Sequence, residues 1–216
     1  MLRTAVTWVT LEEGALHHYC FTRAGLWALE LQRIGGGSPL LDLTRPAGAL
    51  AARHAGGGDV AALSRAMGVG DRQVMSRFAL GKRCYVAEVA GQIVSYGWVS
   101  LGQEEIPELE RALHPAAGEC YIWDCFTLPA YRGRRLVHAI LRRMAIDLRR
   151  LGLRRAWAVI LADNHSSQRA FQRAGFVPVA DLSYLRLLVL RQLWLRAQPE
   201  APAHLVSAAR RLLAKS

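Results

Sequence analysis

Between Cys84 and Leu148 the period of the apolar residues changes from that of strands to that of a helix, and few folds accommodate the change. Cys84-Tyr-Val-Ala-Glu-Val89 and Ile93-Val-Ser-Tyr-Gly-Trp-Val99 read as strands, with Ala90-Gly91-Gln92 as the turn of a hairpin. Glu119–Leu128 is a third strand, closed by Pro129. After Arg132-Gly133 the apolar residues fall at Leu136, Ile140, Leu141, Met144 and Leu148, which is helical spacing, and arginines fill the other faces. Gly152 stops this helix. A strand over Ala156–Leu161 follows, then a helix from Ser166 to Ala174 ended by Gly175, then strands over Phe176–Val179 and Tyr184–Leu190. The order β–β–β–α–β–α–β–β predicts an α/β domain built on a mixed sheet.

The flanks are less regular. Leu16, Tyr19 and Cys20 have helical spacing, whereas Leu26–Leu31 looks like a strand. Gly35-Gly-Gly-Ser-Pro39 is a break, Ala47–Ala52 a candidate strand, and Gly56-Gly-Gly58 a second break. Asp59 is placed to cap a helix carrying Val60, Leu63 and Met67, and Asp71 a second one carrying Val74, Met75 and Phe78. Residues 101–117 read as a polar loop with a helical turn near Leu109. Its Glu104, Glu105, Glu108 and Glu110 form either a solvated face or an attractor for a cationic amine. The tail, 191–216, contains a short basic amphipathic helix with Leu205, Ala208, Leu212 and Leu213.

The formal charge of +11 is compatible with anionic partners and selects none of them: nucleic acid, a phosphorylated cofactor, an acidic carrier protein or anionic lipid. No nucleic-acid-binding motif is present, so nucleic acid is not the expected partner. No apolar run reaches the ~18–20 residues that span a bilayer, and the first residues do not read as a signal peptide. Cys20, Cys84, Cys120 and Cys125 form no CxxC pair. They read as reduced thiols, three of them in the core, which fits a cytoplasmic setting. His17, His18, His54, His114, His138, His165 and His204 have no metal-ligand spacing, so no metal is expected; His138 is read as solvated. Tyr85, Tyr96 and Trp98 read as core, with Tyr96 or Trp98 as alternative liners of an acceptor site.

The segment Ile122-Trp-Asp-Cys-Phe-Thr-Leu-Pro-Ala-Tyr-Arg-Gly-Arg-Arg-Leu-Val137 runs from a strand through a turn into a helix start. The first amides of a helix lack intrahelical acceptors, and the helix dipole adds about half a positive charge there. With Arg132, Arg134 and Arg135 this makes an anion site suited to a pyrophosphate. About 30 residues further on, Asn164-His-Ser-Ser-Gln-Arg-Ala-Phe-Gln-Arg-Ala-Gly-Phe176 leads another short helix out of a strand.

The two segments in this order resemble the GNAT superfamily of N-acetyltransferases over roughly residues 47–190. The resemblance implies a mixed, mostly antiparallel central sheet flanked by helices. Residues 1–46 would be an N-terminal extension packed on the core, which extends the sheet, covers the acceptor cleft or forms a dimer contact. Residues 47–190 would be the acyl-CoA-binding core, and 191–216 a tail ending in a basic helix. It also implies acetyl-CoA as co-substrate. Cys125, Phe126 and Thr127 would lie along the pantetheine arm. Arg132, Gly133, Arg134, Arg135, Leu136 and Val137 would hold the pyrophosphate, and Asn164, Ser167 and Phe171 would flank the arm. The chain departs from the family where Arg135 replaces a glycine and Val137 a glycine or alanine, which loosens the expected backbone cradle.

In that family an amine attacks the acyl thioester directly in a ternary complex. The resemblance places the oxyanion donors at the amides around Phe126 and Thr127. Asp124, Glu119 and Tyr121 are the candidate bases. Asp124 is expected in mid-strand among aromatics, either used or paired, and Glu119 at the strand entrance and solvated. Phe171 stands where many relatives have a tyrosine acid; Ser167, Tyr131 and Tyr184 are the remaining donors. The implied acceptor is an amine-bearing small molecule. Longer acyl-CoA, acyl carrier protein as donor, or a catalytically silent CoA-binding protein are the alternatives.

Overall fold

The computed structural model describes residues 6–11, 15–33 and 52–214, with side chains over 20–32 and 52–214. In chain order the elements are β1 (Val6–Leu11), β2 (Ala15–Glu30), β3 (Ala52–Ala55), α1 (Val60–Met67), α2 (Asp71–Ala79), β4 (Arg83–Val89) and β5 (Gln92–Ser100). Then come β6 (Glu104–Ile106), β7 (Arg111–Leu113), β8 (Glu119–Thr127), α3 (Leu136–Arg150), β9 (Arg155–Leu161), α4 (His165–Arg173), β10 (Val177–Leu187), β11 (Leu190–Ala197) and α5 (Ala203–Leu212). The main sheet runs β11-β10-β2-β9-β8-β5-β4-β3, with β1 paired to β2. Every pairing is antiparallel except that of β8 with β9.

Side-chain alternation along the strands feeds helices on both faces. Tyr85 and Val94 point to the face covered by α3 and α4, where they meet Ile140, Met144, Phe171 and Phe176. Val86, Tyr96 and Trp98 point the other way, into a core with Leu63 of α1 and Val74 of α2. On that same second face, Leu26, Leu182 and Tyr184 pack against Leu205, Ala208 and Leu212 of α5. The basic amphipathic helix of the tail is therefore a docked element with a buried face.

Several expectations change. The helical spacing of Leu16, Tyr19 and Cys20 does not make a helix: Ala15–Glu30 is one sixteen-residue strand, lying between β9 and β10. Strand partners override the local pattern: Tyr19 and Cys20 pair with Thr7 and Val6 of β1 on one side and with Leu187 and Arg186 of β10 on the other, and Leu16 pairs with Thr10 of β1. The strand expected over 47–52 lies, but for Ala52, outside the described residues. The strands expected over 176–179 and 184–190 are one strand, β10, whose hairpin turns at Leu188 and Val189, and residues 190–197 add the edge strand β11.

The loop 101–117 carries β6 and β7. Two of its glutamates are not simply solvated: Glu104 is buried and bound by Lys82 at 2.7 Å, and Glu110 by Arg186 at 2.6 Å. Asp59 does not cap α1 through its side chain; it accepts the Gly56 N–H at 2.8 Å and pairs with Arg53 at 2.7 Å. His138 is half-buried on α3 rather than solvated, and burial, helped by the charges of Arg135, Arg142 and Arg173, lowers its pKa.

Candidate active site

The parallel ladder between β8 and β9 is short. It runs only from Glu119↔Arg155 to Ile122↔Ala158. Beyond it β5 holds β8, with Ser95 opposite Thr127, and β2 holds β9, with Ala24 opposite Leu161. The two strands therefore part, and residues 123–127 face 159–161 without ladder pairing, across a gap in the middle of the sheet. Leu128 N–H donates to Val94 O at 2.9 Å. Backbone groups alternate sides along a strand, so those of Phe126 turn toward β5 and those of Cys125 and Thr127 toward the gap. Such an edge needs partners, and an extended molecule with amide groups supplies them as an added strand does.

A bulge marks where the strands part. Trp98 is opposite Trp123 and Tyr96 opposite Phe126, so Gly97 faces both Asp124 and Cys125. Asp124 takes the left-handed conformation, φ +46°, which aspartate tolerates better than most residues. Gly97 makes the bulge possible: a Cβ there would lie 2.8 Å from Cys125 Sγ and 2.9 Å from Met144 Cε. Burial, with the nearby charge of Asp124, pushes the Cys125 thiol up to about 12, so it stays protonated at neutral pH.

At the top of the gap the chain turns through Pro129–Tyr131 and enters α3. Arg132, Gly133, Arg134 and Arg135 are exposed there. Arg132 Nε approaches Thr127 O at 3.4 Å, and its guanidinium lies 5.7 Å from the Phe126 ring. Arg134 lies over Tyr131. Leu136 is buried and offers a ligand only its backbone, and Val137 is partly buried against the core. Arg135 is the N-cap of α3, with φ +58° and ψ +24°. That backbone shape explains why a glycine suits the position, and Arg135 bears the strain instead. Arg135→Gly is expected to stabilise the fold by about 0.5–1 kcal/mol, raising Tm by about 1–4 °C in a thermal melt.

On the other side of the gap, Asn164 Oδ1 caps α4 by accepting the Ser167 N–H at 3.1 Å and the Ser166 hydroxyl at 2.9 Å. Gln168 Nε2 ties α4 to the end of β9 through Leu161 O at 3.1 Å and Ala162 O at 3.0 Å. Phe171 packs in the core between α4 and the sheet. It is 4% exposed and meets Phe176 edge to face at 4.9 Å between centroids. Phe171→Tyr is expected to cost about 1–3 kcal/mol by burying an unpaired hydroxyl. Any turnover per folded molecule should be kept, as stability and activity assays on one preparation will show.

The three candidate bases separate. Glu119 is neither solvated nor near the gap. It is 7% exposed, at the paired end of β8, bound by Arg155 Nη1 at 2.7 Å and Trp157 Nε1 at 2.8 Å. Four residues of strand, about 13 Å, separate it from Trp123, where the gap begins, and eight, about 26 Å, from Thr127. Tyr121 lies within the paired part, buried against Leu109 and Trp157, and burial pushes its hydroxyl far up. Asp124 alone stands at the bulge. It is exposed rather than packed in mid-strand, and Arg77 of α2 donates to its Oδ2 at 2.6 Å. Of the proposed acids, Tyr184 is buried, Tyr131 reaches Gln92 at 3.5 Å, and Ser167 is half-buried in the first turn of α4.

Arg77 is the residue that sequence reasoning did not single out. Its guanidinium lies 5.0 Å from the Trp98 ring centroid and 4.6 Å from that of Trp123. No spacing signal links positions 77 and 124. Among the described residues no group of three or more His, Cys, Asp and Glu is gathered for a metal, and no helix is long and apolar enough to cross a membrane.

Residues 67–176 match the model of the acetyltransferase (GNAT) family. No curated protein matches the sequence. Among solved structures, the chain is similar to a GCN5-related N-acetyltransferase from Sphaerobacter thermophilus, at 19% identity and TM-score 0.53, covering 78% of this chain and 53% of that one. It is similar to a functionally unknown conserved protein from Staphylococcus epidermidis, at 13% identity and TM-score 0.54, over 78% and 62%. A third, an acetyltransferase of the GNAT family from Colwellia psychrerythraea, has 11% identity and TM-score 0.51, over 82% and 57%. The chain thus spans about half to three-fifths of these proteins' length, and at these identities the likeness is one of fold.

Proposed function

The chain belongs to the GNAT acetyltransferase family, and on that premise we propose that it transfers the acetyl group of acetyl-CoA to the amine of a small acceptor, by direct attack in a ternary complex. The observation that carries the reading is the gap between β8 and β9, which opens directly below an arginine-rich helix start. Acetyl-CoA supplies an acyl thioester, whose C–S bond breaks as the bond from nitrogen to the acyl carbon forms.

The residues divide the work. The exposed Arg132, Arg134 and Arg135 and the first amides of α3 hold the pyrophosphate. Gly133, at φ +80° with open space where a Cβ would lie, lets the chain turn at that point. The backbone of Thr127 and Cys125 pairs with the pantetheine arm, and Asn164 and Ser167 at the start of α4 bound its other side. An N–H directed into the gap at Cys125 donates to the acyl oxygen as that oxygen gains charge. Asp124 takes the proton from the incoming ammonium. Glu119 and Tyr121 stay in structural roles, and Phe171 supplies packing. The thiolate is a good enough leaving group to depart without a dedicated acid.

The test is thiol release from acetyl-CoA in the presence of a panel of amines: a polyamine, an aminosugar, an aminoglycoside, free amino acids, and peptides with a free N-terminus or lysine. At least one amine is expected to accelerate release, with the acetylated amine found by mass spectrometry. Acetyl-CoA that binds while no amine accelerates release would contradict the enzyme reading and leave a silent CoA-binding protein.

A further inference from the structure

The cluster around Trp123 joins the second helix to the bulge. Arg77 lies against both neighbouring indoles, of Trp98 and Trp123, and donates to Asp124, and its side chain is only 16% exposed. Phe78, the next residue of α2, packs on Trp98 at 5.2 Å between centroids. Just past α2, Lys82 lies 4.8 Å from the Trp123 ring and binds Glu104 at 2.7 Å. Trp123 Nε1 donates to Ser100 Oγ at 2.9 Å, and that hydroxyl donates to Glu104. Each cation in this cluster is matched by a carboxylate. The arrangement is charge-balanced and tightly tied, and Asp124 is its charged link to the gap.

That link matters because the ladder does not hold Asp124. The β5–β8 register breaks between the Trp98–Trp123 and Tyr96–Phe126 pairs, and Asp124 stands in the break with a left-handed backbone. A side-chain tether is what remains to fix it. Arginine suits the task, since one planar group stacks on aromatic faces and donates along its edge at the same time, which an ammonium does not do.

We propose that Arg77 is a positioning residue: acting through Asp124, it fixes the β8 bulge and so aims the Cys125 and Thr127 amides into the gap between β8 and β9. The assignment of those amides to the acyl donor rests on the acetyltransferase reading; the tether itself does not.

The experiment compares the parent protein with Arg77→Ala and Arg77→Lys, by hydrogen exchange and by ¹⁵N amide shifts. In Arg77→Ala the amides of residues 123–128 are expected to exchange about tenfold faster, while those of α1 and the outer ladder keep their parent rates. Ethylguanidinium added to Arg77→Ala is expected to restore the parent shifts of Cys125 and Thr127. Arg77→Lys, which keeps the charge and loses the fork, is expected to lie between the two. With an amine acceptor in hand, Arg77→Ala should lower kcat by about tenfold and leave KM for acetyl-CoA unchanged.

Parent-like exchange over 123–128 in Arg77→Ala would overturn the proposal. So would loosening spread evenly over α1, α2 and β5 without ethylguanidinium rescue, since Arg77 would then be ordinary packing. If Arg77→Ala does not fold, the same exchange and shift readings on Arg77→Lys decide: parent-like values overturn the proposal. A parent protein that binds no acetyl-CoA, yet loosens at 123–128 when Arg77 is removed, would refute the acetyltransferase reading and keep the tether.

Discussion

Asp124→Asn is expected to lower kcat by about 10²-fold or more while leaving acetyl-CoA affinity nearly unchanged. The substitution is close to a pure test of basicity. Asparagine has the same size, tolerates the left-handed backbone that position 124 adopts, and still presents an oxygen to Arg77 Nη1. The bulge therefore stays, and what is lost is a carboxylate able to accept a proton from the amine. Steady-state kinetics with the best amine of the panel, together with acetyl-CoA titration of both proteins, measures it. Normal turnover by Asp124→Asn would make Asp124 a structural partner of Arg77 and move the base to a water or to the acceptor itself.

The largest loss of stability is expected at the other end of the same strand. Glu119→Ala removes a buried carboxylate that serves two donors, Arg155 Nη1 at 2.7 Å and Trp157 Nε1 at 2.8 Å. Arg155 has a side chain only 16% exposed, so its charge would remain largely buried without its partner. Breaking such a pair costs about 3–5 kcal/mol, which for a chain of this size lowers Tm by roughly 6–20 °C. Glu119→Gln keeps an acceptor oxygen for one donor and should lose less. Turnover per folded molecule should be the same in all three proteins, since Glu119 lies far from the gap. A loss of kcat in well-folded Glu119→Gln would return this residue to the list of bases.

These two carboxylates show what a sequence carries and what it leaves out. Both sit in one strand, and the strand was readable because its apolar run and the Pro129 that closes it are local. The hairpin at 84–99, the helix of Leu136, Ile140 and Met144, and the Asn164 cap were readable for the same reason. The roles of Glu119 and Asp124 depend on residues 36 and 47 positions away, and no periodicity reports those meetings. The left-handed backbone at Asp124 is equally silent, because aspartate occurs in strands, turns and caps alike. At Arg135 the same backbone left a trace, since the family places glycine there. The first half of β2 failed in the opposite way: Leu16, Tyr19 and Cys20 carry a helical period, yet Leu16 pairs with Thr10 of β1, and Tyr19 and Cys20 pair with β1 and with Leu187 and Arg186 of β10, more than 160 residues distant. In β11, Leu190-Arg-Gln-Leu-Trp-Leu-Arg-Ala197, Leu193 and Leu195 pack on the core, but the exposed Leu190 and Trp194 blur the alternation that would have marked this edge strand.

The central claim is that the gap and the helix start above it bind an acyl-CoA. Thermal melting with CoA, acetyl-CoA and a long-chain acyl-CoA, at low and moderate salt, tests it most directly, because a ligand that binds only the folded state raises Tm in proportion to the logarithm of its concentration over Kd. The account predicts stabilisation by CoA and acetyl-CoA that weakens with salt but survives it, and that falls when Arg132 and Arg134 are both replaced by glutamine. A shift far larger with the long chain would redirect the donor to longer acyl groups. No shift with any of the three would contradict the claim: Arg135 and Val137 would then have cost the site its ligand, and the fold would remain without the chemistry proposed for it.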